Sequence, residues 1–154
     1  MNAAHSRTRG IVSGLGALAL GLLALGCVTP SDPWAHVEAL EDSQKRYTEA
    51  IRWGDLERAA TYVDPEMRDD FLAMAEAFED IRITDYEIGD VEMEDEEKRS
   101  AQVDVTYQGY ALPFFVEHKI RDRQVWRRVE TLGDHRWQVQ PELEPVIVGL
   151  GAPR

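Results

Sequence analysis

The sequence predicts an α+β fold: a short apolar leader helix, then three helices packed on one curved antiparallel sheet of about four strands. Three observations predict it. Apolar residues recur at three- and four-residue spacings from Val37 to Phe78, the period switches to two from Ile81, and the strand-like runs that follow are separated by short Gly, Pro or charged turns.

Met1–Gly10 carries Arg7 and Arg9 with no acid, and Ile11–Leu25 is an apolar or small run, the order of a secretory signal peptide over residues 1–26. As a helix the run would extend roughly 22 Å at about 1.5 Å per residue, short of the ~30 Å hydrocarbon core, so a cleaved signal is favoured over a permanent span. The segment Leu23-Ala24-Leu25-Gly26-Cys27 resembles a bacterial lipobox. That resemblance implies a diacylated Cys27 as first residue of the mature chain, with palmitate-type acylation of its new amine, and the bilayer as a partner through those chains. Gly26 matches the small residue before the cut, and Ala24 departs from the larger aliphatic residue usual there. Val28 stands where an aspartate would resemble an inner-membrane retention signal, so the periplasmic face of the outer membrane is expected. Residues 27–33 form the tether, of which Val28–Asp32 spans at most roughly 18 Å and keeps the first helix near the bilayer.

Asp32-Pro33 signals a helix start, and Val37, Leu40, Tyr47, Ala50 and Ile51 make its apolar face, with Gly54 as the stop. Asp55 caps a second, shorter helix carrying Leu56, Ala59, Ala60 and Val63. Asp64-Pro65 opens a third with Met67, Phe71, Met74 and Phe78. From Ile81 to Met93 the chain alternates as a strand, with parity slips near Thr84-Asp85 and Gly89-Asp90 that predict bulges. Glu94–Arg99 is a charged turn, and Ala101, Val103, Val105 and Tyr107 form the cleanest alternation in the chain. After Leu112-Pro113, Phe114, Val116, His118 and Ile120 share a face, and the apolar parity then moves to Val125 and Val129, which predicts one long strand with a bulge within Arg121–Gln124. Leu132-Gly133-Asp134 turns into a last strand, His135–Gln140, and residues 142–154 read as an irregular tail.

This order of elements resembles the nuclear transport factor two-like cone, also called cystatin-like or polyketide-cyclase-like. The local likeness lies in Tyr47-Thr48-Glu49-Ala50-Ile51-Arg52-Trp53-Gly54-Asp55 followed by Ala59-Ala60, and in Gln124-Val125-Trp126 followed by Gly133 and Trp137. It covers residues 34–141 and implies a cone able to hold a pocket between sheet and helices, in a fold that serves enzymes, ligand carriers and interaction domains alike.

The chemistry-bearing residues are sparse. His118, on the parity of Ile120, is the best general acid or base, with Asp85 or Tyr107 as its partner from neighbouring strands. No Gly-x-Ser-x-Gly elbow, His-Glu-x-x-His or cysteine pair is present, so a hydrolase triad, a metal and a cofactor are not expected. The acidic run from Asp90 to Glu97 reads as a solvated turn, lacking the glycine of a calcium loop. The basic segment Lys119, Arg121, Arg123, Arg127 and Arg128 could face anionic lipid headgroups or an acidic partner, but Lys119, Arg121 and Arg123 have strand parity and read as cross-strand partners for Asp104, Glu92 and Glu94. A net charge of −12 with one cysteine excludes an intrachain disulfide and disfavours nucleic acid. The expectation is a non-catalytic module for an envelope protein partner or a small apolar ligand, with a small-molecule enzyme using His118 as the alternative.

Overall fold

The computed structural model describes residues 33–131 and 134–151, so the leader, Cys27 and all of the tether but Pro33 lie outside it, as do Leu132 and Gly133. Helix α1 runs from Pro33 to Arg52, α2 from Leu56 to Ala60, α3 from Arg68 to Ala73 and α4 from Ala75 to Phe78. Strands β1 (Ile81–Met93), β2 (Ser100–Ala111), β3 (His118–Thr131) and β4 (Asp134–Gln140) follow, then helix α5 (Leu143–Gly151). The sheet is antiparallel in the order β1-β2-β3-β4.

Local chemistry explains the helix boundaries. Gly54 adopts φ +69°, a left-handed conformation that glycine tolerates, and Asp55 N–H donates back to Ala50 at 2.9 Å, closing α1. One residue on, the Asp55 carboxylate accepts from Arg58 N–H at 3.0 Å and caps α2. The stripe expected as a third helix is divided at Met74 into α3 and α4. Its apolar anchors Phe71 and Phe78 are buried all the same. The Arg68 guanidinium donates to the Ala60 and Val63 carbonyls, tying α3 to the end of α2.

The sheet lays one face under the helices. Both slips expected in β1 appear as register shifts, between Ile83 and Asp85 and between Ile88 and Val91. Between β2 and β3 the register is unbroken from Ser100↔Arg127 to Gly109↔His118. The bulge expected within Arg121–Gln124 is therefore absent. Instead β3 keeps one parity, and Ile120, Asp122, Gln124 and Trp126 all face the helices with Tyr107, Val105, Val103 and Ala101 of β2. The apolar switch to Val125 and Val129 marks half-buried outer positions, not a shift of the backbone.

Phe114 and Val116 lie outside the strand that their parity predicts: β3 starts at His118 and the Leu112–Glu117 loop leaves Phe114 60 % exposed, with Phe115 and Val116 also at the surface. Residues 143–151 are helical, not irregular. Leu143, Val146 and Leu150, at helical spacing, are buried against the sheet, and Gly149 sits where a Cβ would collide with the Ile120 side chain. That glycine permits close approach and is not a breaker.

Candidate functional site

On α1 the face turned to the sheet reads Leu40, Gln44, Tyr47, Thr48, Ile51, and all five are buried. Two of these, Gln44 and Thr48, are polar. Across from them the inner row of β3 is polar too, with Asp122 only 4 % exposed and Gln124 only 1 %. The four side chains and Tyr107 form one string. Gln44 Nε2 donates to Thr48 Oγ1 at 2.9 Å, and Thr48 also reaches the Tyr107 hydroxyl. Gln124 Nε2 donates to the Tyr107 hydroxyl at 3.3 Å and to Asp122 Oδ2 at 2.9 Å, while its Oε1 accepts from Trp126 Nε1 at 3.2 Å. Gln124 is the hub, since its amide supplies both donor bonds and its oxygen fixes the indole.

Beside this string stands Tyr47, wholly buried, whose hydroxyl has no hydrogen-bond partner among the described residues. Its ring meets Trp126 edge-on, centroids 5.7 Å apart, and Phe71 at 6.4 Å. Burial dominates the electrostatics. It pushes both tyrosines above the ordinary phenol range, with the neighbouring Asp122 charge adding to the effect on each. Loss of solvent raises Asp122 to about 6, Gln124 opposes that by bonding the carboxylate, and Glu142 and Asp104 add to the rise. No Lys, Arg or His is ion-paired with Asp122 among the described residues.

The string reaches an opening. A groove of about 710 Å³ lies between α1 and β1, lined by Val37, Gln44, Lys45, Ile88, Val91 and Met93 among others. That volume is in the range of small-molecule sites. Gln44 is both a wall of the groove and the first member of the string. Register places the groove level with the acid, because Ile88 pairs with Val105 and Val105 pairs with Asp122.

Of the residues expected to form a site, Tyr107 is inside and buried. His118 shares its face but sits at the first position of β3, half-buried and opposite Gly109. Asp85 pairs with Gln108, not Tyr107, and is exposed on the outer face, so the structure does not bring it to Tyr107. Among the described residues no group of three or more His, Cys, Asp or Glu is placed to hold a metal ion, and no helix is long and apolar enough to cross a membrane. The outer-face basic residues behave in part as expected: Arg123 Nε lies 3.3 Å from Asp104 Oδ1, and Arg121 lines a shallow polar depression with Glu92 and Asp104.

No protein-family model matches the chain, and neither does any curated protein sequence. Solved structures do. A ketosteroid isomerase-like protein from Erwinia carotovora atroseptica superposes with a TM-score of 0.52 at 14% identity, over 68% of this chain and 90% of its own. The chain shares the fold of that ketosteroid isomerase-like protein. An NTF2-like protein of unknown function from Shewanella oneidensis (TM-score 0.48, 15% identity, 67% of this chain and 93% of its own) and a putative polyketide cyclase from Xanthomonas campestris pv. campestris (0.49, 12%, 75% and 98%) are similar at a lower level. At such identities the likeness concerns the backbone, and the chemistry has to be read from this cone's own residues.

Proposed function

We propose that this chain is a lipoprotein of the bacterial cell envelope, anchored by acyl groups on Cys27 at the periplasmic face of the outer membrane, whose cone domain is a non-catalytic small-ligand-binding module. The observation that carries the binding half is the Tyr47 hydroxyl. A buried phenol without a partner costs about 1–3 kcal/mol, and this one stands beside a polar string that begins in an open groove. A ligand entering from the groove would satisfy it. Of the acid/base alternative, Asp85 lies on the other face of the sheet from His118 and Tyr107, while His118 shares the face of Tyr107, whose hydroxyl is engaged by Gln124.

Two measurements test this. Cells fed an alkyne analogue of palmitate label the wild-type protein and leave Cys27→Ser unlabelled and at precursor size; a mature-sized, membrane-bound Cys27→Ser protein overturns the anchor. For binding, a panel of small ring compounds, neutral and charged, is titrated while the Tyr and Trp fluorescence and the melting temperature are followed. At least one class shifts the wild type and does so more weakly in Tyr47→Phe; silence across the panel overturns the module.

A further inference from the structure

Inside the cone the charge balance is incomplete. Asp122 has one hydrogen-bond partner, the neutral amide of Gln124 at 2.9 Å, and no ion pair among the described residues. A buried carboxylate is ordinarily paired with a cation or bound to metal, because isolated charge is costly in a medium of low dielectric. Two tyrosine hydroxyls stand near Asp122, and the ring of one of them packs in an aromatic cluster. The Tyr47 hydroxyl is unpartnered, the Tyr107 hydroxyl shares the Gln124 amide, and the rings of Tyr47, Trp126 and Phe71 pack at 5.7 and 6.4 Å between centroids. A carboxylate with phenol oxygens and aromatic faces is the chemical complement of an ammonium group, which brings three donors and a positive charge that π systems attract.

We propose that the interior of the cone, entered from the α1–β1 groove past Gln44, binds a small organic ammonium ion carried on an apolar ring or chain, with Asp122 as its counter-ion. This inference rests on the small-ligand reading above and names its ligand class. The apolar part lies along Val37, Ile88, Val91 and Met93 in the groove. Rotation of the Gln44 amide off Thr48 admits the charged end, and Tyr47 supplies the acceptor that Asp122 alone lacks. The whole chain carries 29 acidic against 17 basic residues, an excess that attracts such cations, while at the groove itself Glu41 and Asp90 balance Lys45 and Lys98.

The probe is benzylammonium, with benzyl alcohol as its neutral counterpart, titrated into the full chain in neutral detergent at 150 mM salt. At pH 7.5 benzylammonium raises the melting temperature and binds at least tenfold more tightly than the alcohol. The groups facing Asp122 are Tyr107 from β2, Gln124 from β3, Tyr47 from α1 and Glu142 ahead of α5, with Asp104 behind it on the outer face. Both tyrosines stay neutral over this range, so Asp122 sets the pH response. At pH 5 about a tenth of a carboxyl with a pKa of about 6 is ionised, and affinity falls roughly tenfold. Asp122→Asn, checked for folding by circular dichroism, abolishes the preference for the ammonium, and Tyr47→Phe weakens binding severalfold. Glu41→Gln and Asp90→Asn, at the groove rim, leave it within twofold. Equal binding of amine and alcohol overturns the ammonium assignment and leaves the small-ligand module standing. Binding that survives Asp122→Asn and disappears in the rim variants overturns it in favour of surface attraction. If neither probe binds and the wider panel is silent, both readings fall.

Discussion

Strands β2 and β3 lie side by side in unbroken register, yet they send different chemistry into the same interior. β2 buries Ala101, Val103, Val105 and Tyr107, and nothing but the last hydroxyl asks for a partner. β3 buries Asp122 and Gln124 between Ile120 and Trp126. The backbone is equally regular in both. β2 thus builds the cone and β3, with the facing Gln44 and Thr48 of α1, furnishes it. Polar groups kept inside a core need a full set of partners, and Tyr47 and Asp122 lack part of theirs.

The sharpest way to break this contrast is to give β2 the chemistry of β3. Val105 pairs directly with Asp122, so Val105→Asp places a second carboxyl beside the first in a site closed to water. We expect a loss of about 4 kcal/mol or more, read as failure to show a cooperative urea transition at pH 7.5. The converse change makes β3 resemble β2. With a folded pKa of about 6 against an ordinary 3.8, the ionised form of Asp122 is the penalised one. The penalty is absent below about pH 4, where the carboxyl is protonated folded or unfolded, grows as pH rises to about 6, and is complete above. Asp122→Asn therefore stabilises the protein by up to about 3 kcal/mol at pH 7.5, from roughly 1.4 kcal/mol per pKa unit, and by little at pH 4. Urea midpoints that shift equally at both pH values would disprove that account.

Tyr47→Phe removes an unsatisfied buried hydroxyl while keeping the ring contacts to Trp126 and Phe71, so a gain of about 1 kcal/mol is expected in the unliganded protein. A loss would mean that the hydroxyl has a bonding partner after all. Least of all should happen on the outer face. Arg123 and Asp104 are solvent-facing, and Arg123→Ala should cost under about 0.5 kcal/mol, less still at high salt.

The architecture was legible because most of its signals are apolar and periodic. The two bulges of β1, the alternation of β2, and the Gly54 and Asp55 boundary between α1 and α2 were all readable, each written in a local pattern that its own backbone geometry requires. The interior site was not, and for one reason. Its members occupy the gaps in those same patterns. Gln44 and Thr48 interrupt the stripe of α1, and Asp122 and Gln124 interrupt the inner parity of β3, where following the apolar residues alone suggested a bulge. A break in apolar parity without a glycine or proline to cause it is the signal that would have found them. Phe114 failed for the opposite reason: its side chain suits a strand, but the loop leaves it in solvent. The α5 helix was hidden by Pro145 and Gly149, which fit a first turn and a close helix–sheet contact.

The two edges of the sheet are finished differently. Along β4 the segment from Tyr62 to Asp64 closes the edge, with Val139 N–H donating to Tyr62 and Asp64 N–H to Val139. β1 is the other terminal strand, and it carries Asp85, Glu87, Asp90 and Glu92 at exposed positions with two register shifts along its length. Like charges and irregular pleating are what keep a bare strand from zippering onto another copy. The acidity of this strand thus guards the exposed edge against pairing with a second chain, and neutralising those four carboxylates would turn that edge into a template.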